Sequence, residues 1–170
     1  MIDFPGLLRR FTDAVAANDG RGLAALFTED GVYDDGFFGA HTGPADIARM
    51  LARFHETGTD YRWDFFDAPT DGRIGYARWR FSYSSKMPGA EGRPVVFEGM
   101  SQFTLRGERI AAYAEVFDRG VALVQQDFPA ERLQRAMVKF AERQNATPAC
   151  QDHLARFATT AIGNSRGVTS

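Results

Sequence analysis

Apolar positions along this chain follow first a helical period and then a period of two, and the change between them lays out the architecture. Leu7, Leu8, Phe11, Ala14 and Val15 recur at helical spacing behind Pro5, until Asn18-Asp19-Gly20 interrupts them. Proline suits a first helical turn, where its missing N–H has no partner to lose. Leu23, Leu26 and Phe27 predict a short second helix, broken by Thr28-Glu29-Asp30-Gly31, and Val32 to Phe38 reads as strand or extended loop. Thr42-Gly43-Pro44 opens a third helix with Ile47, Met50, Leu51 and Phe54 on one stripe. Tyr61-Trp63-Phe65, then Ala77-Trp79-Phe81-Tyr83, then one long hairpin within Pro94 to Gln125 give four strands, with turns at Asp71-Gly72 and Pro88-Gly89. No crossover helix separates these strands, so an antiparallel sheet is expected. Beyond Phe128-Pro129 a helix with Leu133, Met137 and Phe140 runs to about Gln144, and Thr147-Pro148 opens another with Leu154, Phe157, Ala158 and Ile162. The expectation is an α+β domain over residues 1–127, a helical extension of it over 128–162, and a small, polar, disordered tail over 163–170.

The hairpin carries the first chemical hint. With Gly107-Glu108 as a two-residue loop, Leu105 faces Ile110, Phe103 faces Ala112, Ser101 faces Ala114, Gly99 faces Val116 and Phe97 faces Asp118. That face is apolar and thins to Gly, Ser and Ala before it ends at Asp118. Small side chains on a curved sheet leave room, and a carboxylate beside that room is a candidate acid or base.

Composition narrows the classes. At 170 residues, with 15 Phe and 5 Tyr, the chain can bury a core without metals or disulfides. Its 20 basic and 22 acidic residues nearly balance and form no basic stripe among aromatics, which argues against nucleic acid. Cys150 stands alone, excluding an intramolecular disulfide framework or a cysteine-based zinc cluster. His41, His55 and His153 lack ligand-like spacing, so neither a metal nor another cofactor is expected. Met1-Ile2-Asp3-Phe4-Pro5 is unlike a signal peptide and no segment resembles a membrane span, so a cytoplasmic location is expected.

Three local patterns carry a family resemblance. Leu26-Phe27-Thr28-Glu29-Asp30-Gly31-Val32-Tyr33, His41-Thr42-Gly43-Pro44-Ala45-Asp46-Ile47, and Gly107-Glu108-Arg109-Ile110 followed by Phe117-Asp118 resemble motifs of the NTF2-like superfamily, in its SnoaL-like branch. The resemblance implies a cone-shaped α+β fold, three N-terminal helices on a curved antiparallel sheet, with a pocket between them. It points to Asp118 as a general acid or base, its pKa raised by desolvation. Tyr33 and Asp35 share parity on the first strand and can both point inward; the alternative is that Asp34 and Asp35 belong to a solvated acidic loop. His41 falls at a plausible pocket rim. Trp79, Phe81, Tyr83, Ser101 and Phe103 fall on the inner face as core or ligand-binding wall. Arg78-Trp79-Arg80 lacks the carboxylate that the epoxide hydrolases of the superfamily carry on this strand. By parity Arg78 and Arg80 turn outward, toward Glu98 and Glu115. Tyr113, Phe117, Met100 and Ala111 would then lie on the outer sheet face, where a symmetric dimer would cover them. The functional expectation is a small hydrophobic ligand and a cofactor-free isomerisation, cyclisation or dehydration. The alternatives are a non-catalytic carrier or sensor, and a dimeric interaction module.

Overall fold

The computed structural model describes residues 2–164, with side chains to residue 156. Most of the expected tail, from residue 165 onward, lies outside the described residues. The chain divides after Phe128 into two compact units.

In the first unit, α1 (Phe4–Ala16) and α3 (Pro44–Phe54) form as the apolar stripes predict, but α2 (Gly20–Ala25) stops short of Leu26 and Phe27, because Phe27 already opens the first strand, which runs on through Thr28-Glu29-Asp30-Gly31. Asp3 caps α1 by accepting from the Gly6 amide at 2.9 Å, and Asp19 caps α2 by accepting from Gly22 at 2.8 Å. Gly43 precedes α3 at φ 78°, a left-handed conformation costly for a side chain with a Cβ. The strands are β1 (Phe27–Asp35), β2 (Gly39–Thr42), β3 (Gly58–Phe66), β4 (Ile74–Ser85), β5 (Pro94–Arg106) and β6 (Arg109–Phe117). They make one open, curved sheet in the order β2-β1-β6-β5-β4-β3.

Three further features depart from the expectations. β2 is a short edge strand paired with β1, and it absorbs the loop that holds His41. β1 runs parallel to β6, so the sheet is mixed rather than wholly antiparallel. After β6 the chain turns at once into α4 (Arg119–Gln125), which the hydrophobic pattern did not announce.

The departure that matters most is a bulge in the long hairpin. Leu105 does pair with Ile110, but the next pair is Thr104 with Ala112, which leaves Ala111 as the extra residue on β6. Beyond it, Phe103 pairs with Tyr113, Ser101 with Glu115 and Gly99 with Phe117. Because side chains alternate with a period of two, one inserted residue exchanges the two faces of the rest of the strand. Tyr113, Glu115 and Phe117 turn inward, while Ala114 and Val116 turn out, Val116 to 71% exposure.

The α1 side of the sheet holds the larger of the two buried core clusters. Phe4, Leu7, Leu8 and Phe11 are buried against Phe103, Leu105, Ile110 and Tyr113. The Phe11 ring lies within 5.2–6.4 Å of the Phe27, Tyr33, Trp63, Phe65, Phe103 and Tyr113 rings, between centroids. A second cluster (Trp79, Phe81, Val95, Phe97 and Ala122) gathers where α4 crosses the other end of the sheet. The second unit consists of α5 (Ala130–Asn145) and α6 (Pro148–Asn164).

Candidate functional site

A cavity of about 240 Å³ opens beside the second cluster, small for a ligand site. Aromatic rings make most of its wall, among them Tyr33, Trp79, Phe81, Tyr83, Phe97 and Phe117. The rest is Asp35, Thr57, Met87, Glu115, Leu123 and Gln126. Two carboxyl groups therefore face an otherwise apolar space, delivered by neighbouring strands: Asp35 from the end of β1 and Glu115 from β6 beyond its bulge.

Each is held by donors that the local backbone supplies. Asp35 Oδ1 accepts from the amides of Phe37 and Phe38 at 2.8 and 2.7 Å, which fixes the turn between β1 and β2. Glu115 Oε1 accepts from the Gly36 amide at 3.0 Å, and Oε2 accepts from the Tyr113 hydroxyl at 2.6 Å. Behind Tyr113 runs a buried relay. The Trp79 indole N–H donates to Ser101 Oγ at 2.8 Å, and Ser101 donates to Tyr113 Oη at 2.9 Å. An indole nitrogen can only donate, so Trp79 stands at the donor end of this chain, and the chain ends on Glu115. Gly99 makes the relay possible, because a Cβ there would overlap the Trp79 ring and sit 2.7 Å from the Val116 carbonyl oxygen. The small residues of β5 thus receive Trp79 rather than a ligand.

Burial pushes the Glu115 carboxyl up to about 8, and the charge of Asp35 adds to it. The Tyr113 hydrogen bond, the Gly36 amide and the Arg119 guanidinium pull in the other direction without cancelling it. Near neutral pH Glu115 therefore holds a proton. Tyr33 and Tyr113 are buried and keep their phenol protons far into the alkaline range, and burial raises Tyr83 to about 12.

The residues singled out from the sequence separate into two groups. Tyr33, Asp35, Trp79, Phe81 and Tyr83 line the cavity. Asp118 does not. The bulge carries it off the inner face, and it caps α4 on the exposed surface, accepting from Gly120 N at 2.8 Å and Val121 N at 3.4 Å. His41 sits opposite Tyr33 across the edge pair, with Nδ1 3.3 Å from Asp46, and it stands outside the cavity lining. Ser101 lies one layer behind the wall, and Phe103 belongs to the larger core cluster. Arg80 does face outward, donating to Glu98 from Nε at 2.8 Å, but Arg78 pairs with Asp67 at 3.2 Å, since Glu115 points inward. Tyr113 and Phe117 are likewise inside rather than on the outer face.

Strict alternation missed Glu115 and Tyr113, and Leu123 and Gln126 came with the unannounced α4. The available signal was bulk: without a bulge, Tyr113 and Phe117 would have faced water while Ala112, Ala114 and Val116 faced the core.

The profile of the SnoaL-like domain matches residues 8–113. The chain belongs to the SnoaL-like family. That match stops two residues short of Glu115, so the SnoaL-like pattern covers the fold and leaves the inner end of β6 to be read from geometry. No curated protein matches the chain. Similar solved structures include a hypothetical protein with a ketosteroid isomerase-like fold from Catenulispora acidiphila, in complex with trimethylamine. It is 23% identical, with a TM-score of 0.68, over 75% of this chain and 96% of that one. A candidate polyketide cyclase from Xanthomonas campestris is 21% identical over 72% of this chain and 95% of its own, with a TM-score of 0.61. An LEH-like epoxide hydrolase from M. tuberculosis is 17% identical over 81% and 94%, with a TM-score of 0.58. Likeness at this level establishes the SnoaL-like fold and not a reaction. Among the described residues no helix is long and apolar enough to cross a membrane, and no cluster of three or more His, Cys, Asp or Glu forms a metal site.

Proposed function

We propose that the protein binds a small, largely apolar molecule in this cavity and transfers a proton on it without a cofactor, in an isomerisation, cyclisation or dehydration. The observation that carries the reading is Glu115: a carboxyl group facing an aromatic cavity, oriented by the hydrogen-bond relay through Tyr113 and pushed up to about 8 by burial. An acid or base serves best when its pKa lies close to the ambient pH. Burial raises the Glu115 affinity for its proton, and Asp35, nearby and held by two amides, adds to it by repulsion. Tyr33 and Tyr83 stay protonated in the same wall and can donate to an oxyanion that develops on a carbonyl ligand.

Thermal-shift screening with small ketones and enones identifies a ligand, and Glu115→Gln then tests the role. Gln keeps an acceptor for Tyr113 but cannot exchange a proton. Ligand affinity is expected within a few-fold of the parent, with turnover reduced about 10²–10⁴-fold. Equal turnover in the variant would remove Glu115 from the chemistry, and a parent that binds without ever turning over would make the protein a carrier or sensor.

The outer sheet face supports a homodimer. Tyr76, Val96, Met100 and Val116 expose 43, 44, 43 and 71% of their surface there, apolar area that pairing two sheets would cover. Sedimentation equilibrium is expected to give a dimer that Met100→Glu shifts toward monomer. A parent that sediments as a monomer at high concentration would end that reading.

A further inference from the structure

The cavity wall is one-sided in charge. Its polar members are two carboxyl groups, a threonine and a glutamine beside the tyrosines and the indole N–H groups of Trp63 and Trp79, and no basic side chain among the described residues lines it. The remaining wall is mainly aromatic, and ring faces carry the negative end of a quadrupole that attracts cations and repels anions. Aromatic walls alone would suit any flat apolar ligand. Aromatic walls closed by carboxyl groups on adjacent strands suit a positive one better.

Resting on the reading that this cavity is the binding site, we propose that its ligand is a small organic cation, an alkylated ammonium group on an apolar body, with the rings around its methyl groups and Glu115 as its counter-ion. The volume of about 240 Å³ admits a compact molecule of this kind.

The groups around Glu115 make the binding proton-linked. Asp35 opposes its charge from β1, Tyr113 donates to it from β6, and Arg119 favours its charge from α4. Arg119 stands outside the lining. Its Nε donates to the Gly36 carbonyl at 2.5 Å and its guanidinium carbon lies 5.6 Å from the Phe117 ring centroid. Without a cation beside it, Glu115 is protonated near neutrality. A bound cation favours the carboxylate, so the carboxyl group releases its proton to the buffer and the complex holds the ion pair. The ligand thereby generates the base that acts on it.

Isothermal titration of the full chain at pH 7 tests this with choline and its neutral isostere 3,3-dimethylbutan-1-ol, each in two buffers of different ionisation enthalpy. Choline is expected to bind about tenfold tighter or better, with release of up to one proton per site. In Glu115→Gln the proton release disappears and the preference for choline shrinks to a few-fold. Phe81→Leu keeps apolar volume without a ring, and it should weaken choline more than the alcohol. The proposal falls if the alcohol binds as tightly as choline, or if choline binds without proton release and equally well to Glu115→Gln. If neither probe binds but a neutral ketone such as acetophenone does, the cation assignment is overturned while the acid/base reading stands. Binding by none of the three would overturn both.

Discussion

The two halves of the inner sheet face are built from the same kinds of side chain and end in opposite states, one filled and one hollow. Under α1, Phe11 reaches the sheet and contacts rings from four strands, which fill the space around it. At the other end α4, a helix of seven residues, buries only Ala122 and Leu123, beside Phe54 of α3 and the Phe37-Phe38 turn. Small side chains on a short helix cannot fill the concave surface of a twisted sheet, and a cavity remains. Aromatic content is therefore not what makes the pocket; the lid is. The seam between the halves is chemical as well as geometric. Along β4 it falls between Ala77 and Trp79, along β5 at Gly99 to Ser101, and along β6 between Tyr113 and Phe117. The relay from Trp79 through Ser101 and Tyr113 to Glu115 follows that seam, with its polar atoms bonded to one another at the edge of a dry core.

Truncating one ring in each half separates the two most clearly. Phe11→Ala should cost about 3–5 kcal/mol, because the surrounding rings cannot collapse onto the void. Phe97→Ala, in a wall that already borders empty space, should cost nearer the transfer term of about 1.5–3 kcal/mol. Chemical denaturation of both variants measures the difference, and equal costs would mean that the second half is as closely packed as the first.

A smaller effect separates the halves by pH. Glu115 binds its proton more tightly in the folded chain than a solvated glutamate does, so stability is full below its ordinary pKa, 4.5, and declines as pH rises toward about 8. Glu115→Gln removes that penalty. The variant should match or fall slightly below the parent in thermal stability near pH 4 and gain on it by a few kcal/mol at pH 8. A gap between variant and parent that does not change with pH would place Glu115 in solvent.

Much of the fold was legible because it rests on long periodic stretches: the α1 and α3 stripes, and the alternation of Trp79, Phe81 and Tyr83 in β4. Tyr33 and Asp35 were placed correctly by parity alone, since β1 reaches them without interruption from Val32. The acid at the centre of the site was not legible, because strand parity propagates from a turn only as far as the next bulge. Ala111 is that bulge, and nothing in an Ala-Ala pair announces an unpaired residue. One position of slip exchanged Asp118 for Glu115, and put Tyr113 and Phe117 inside. α4 was hidden for a related reason: Asp118 read as the end of a strand is also a good N-cap, and the seven residues that follow are too few for a helical period to stand out.

The most direct test of the account is a carboxyl-carbon NMR titration of Glu115 in the ligand-free protein. A midpoint raised far above 4.5, toward about 8, is the predicted result. A midpoint at the ordinary glutamate value would show a solvated side chain and contradict the inward turn of β6 on which the site depends.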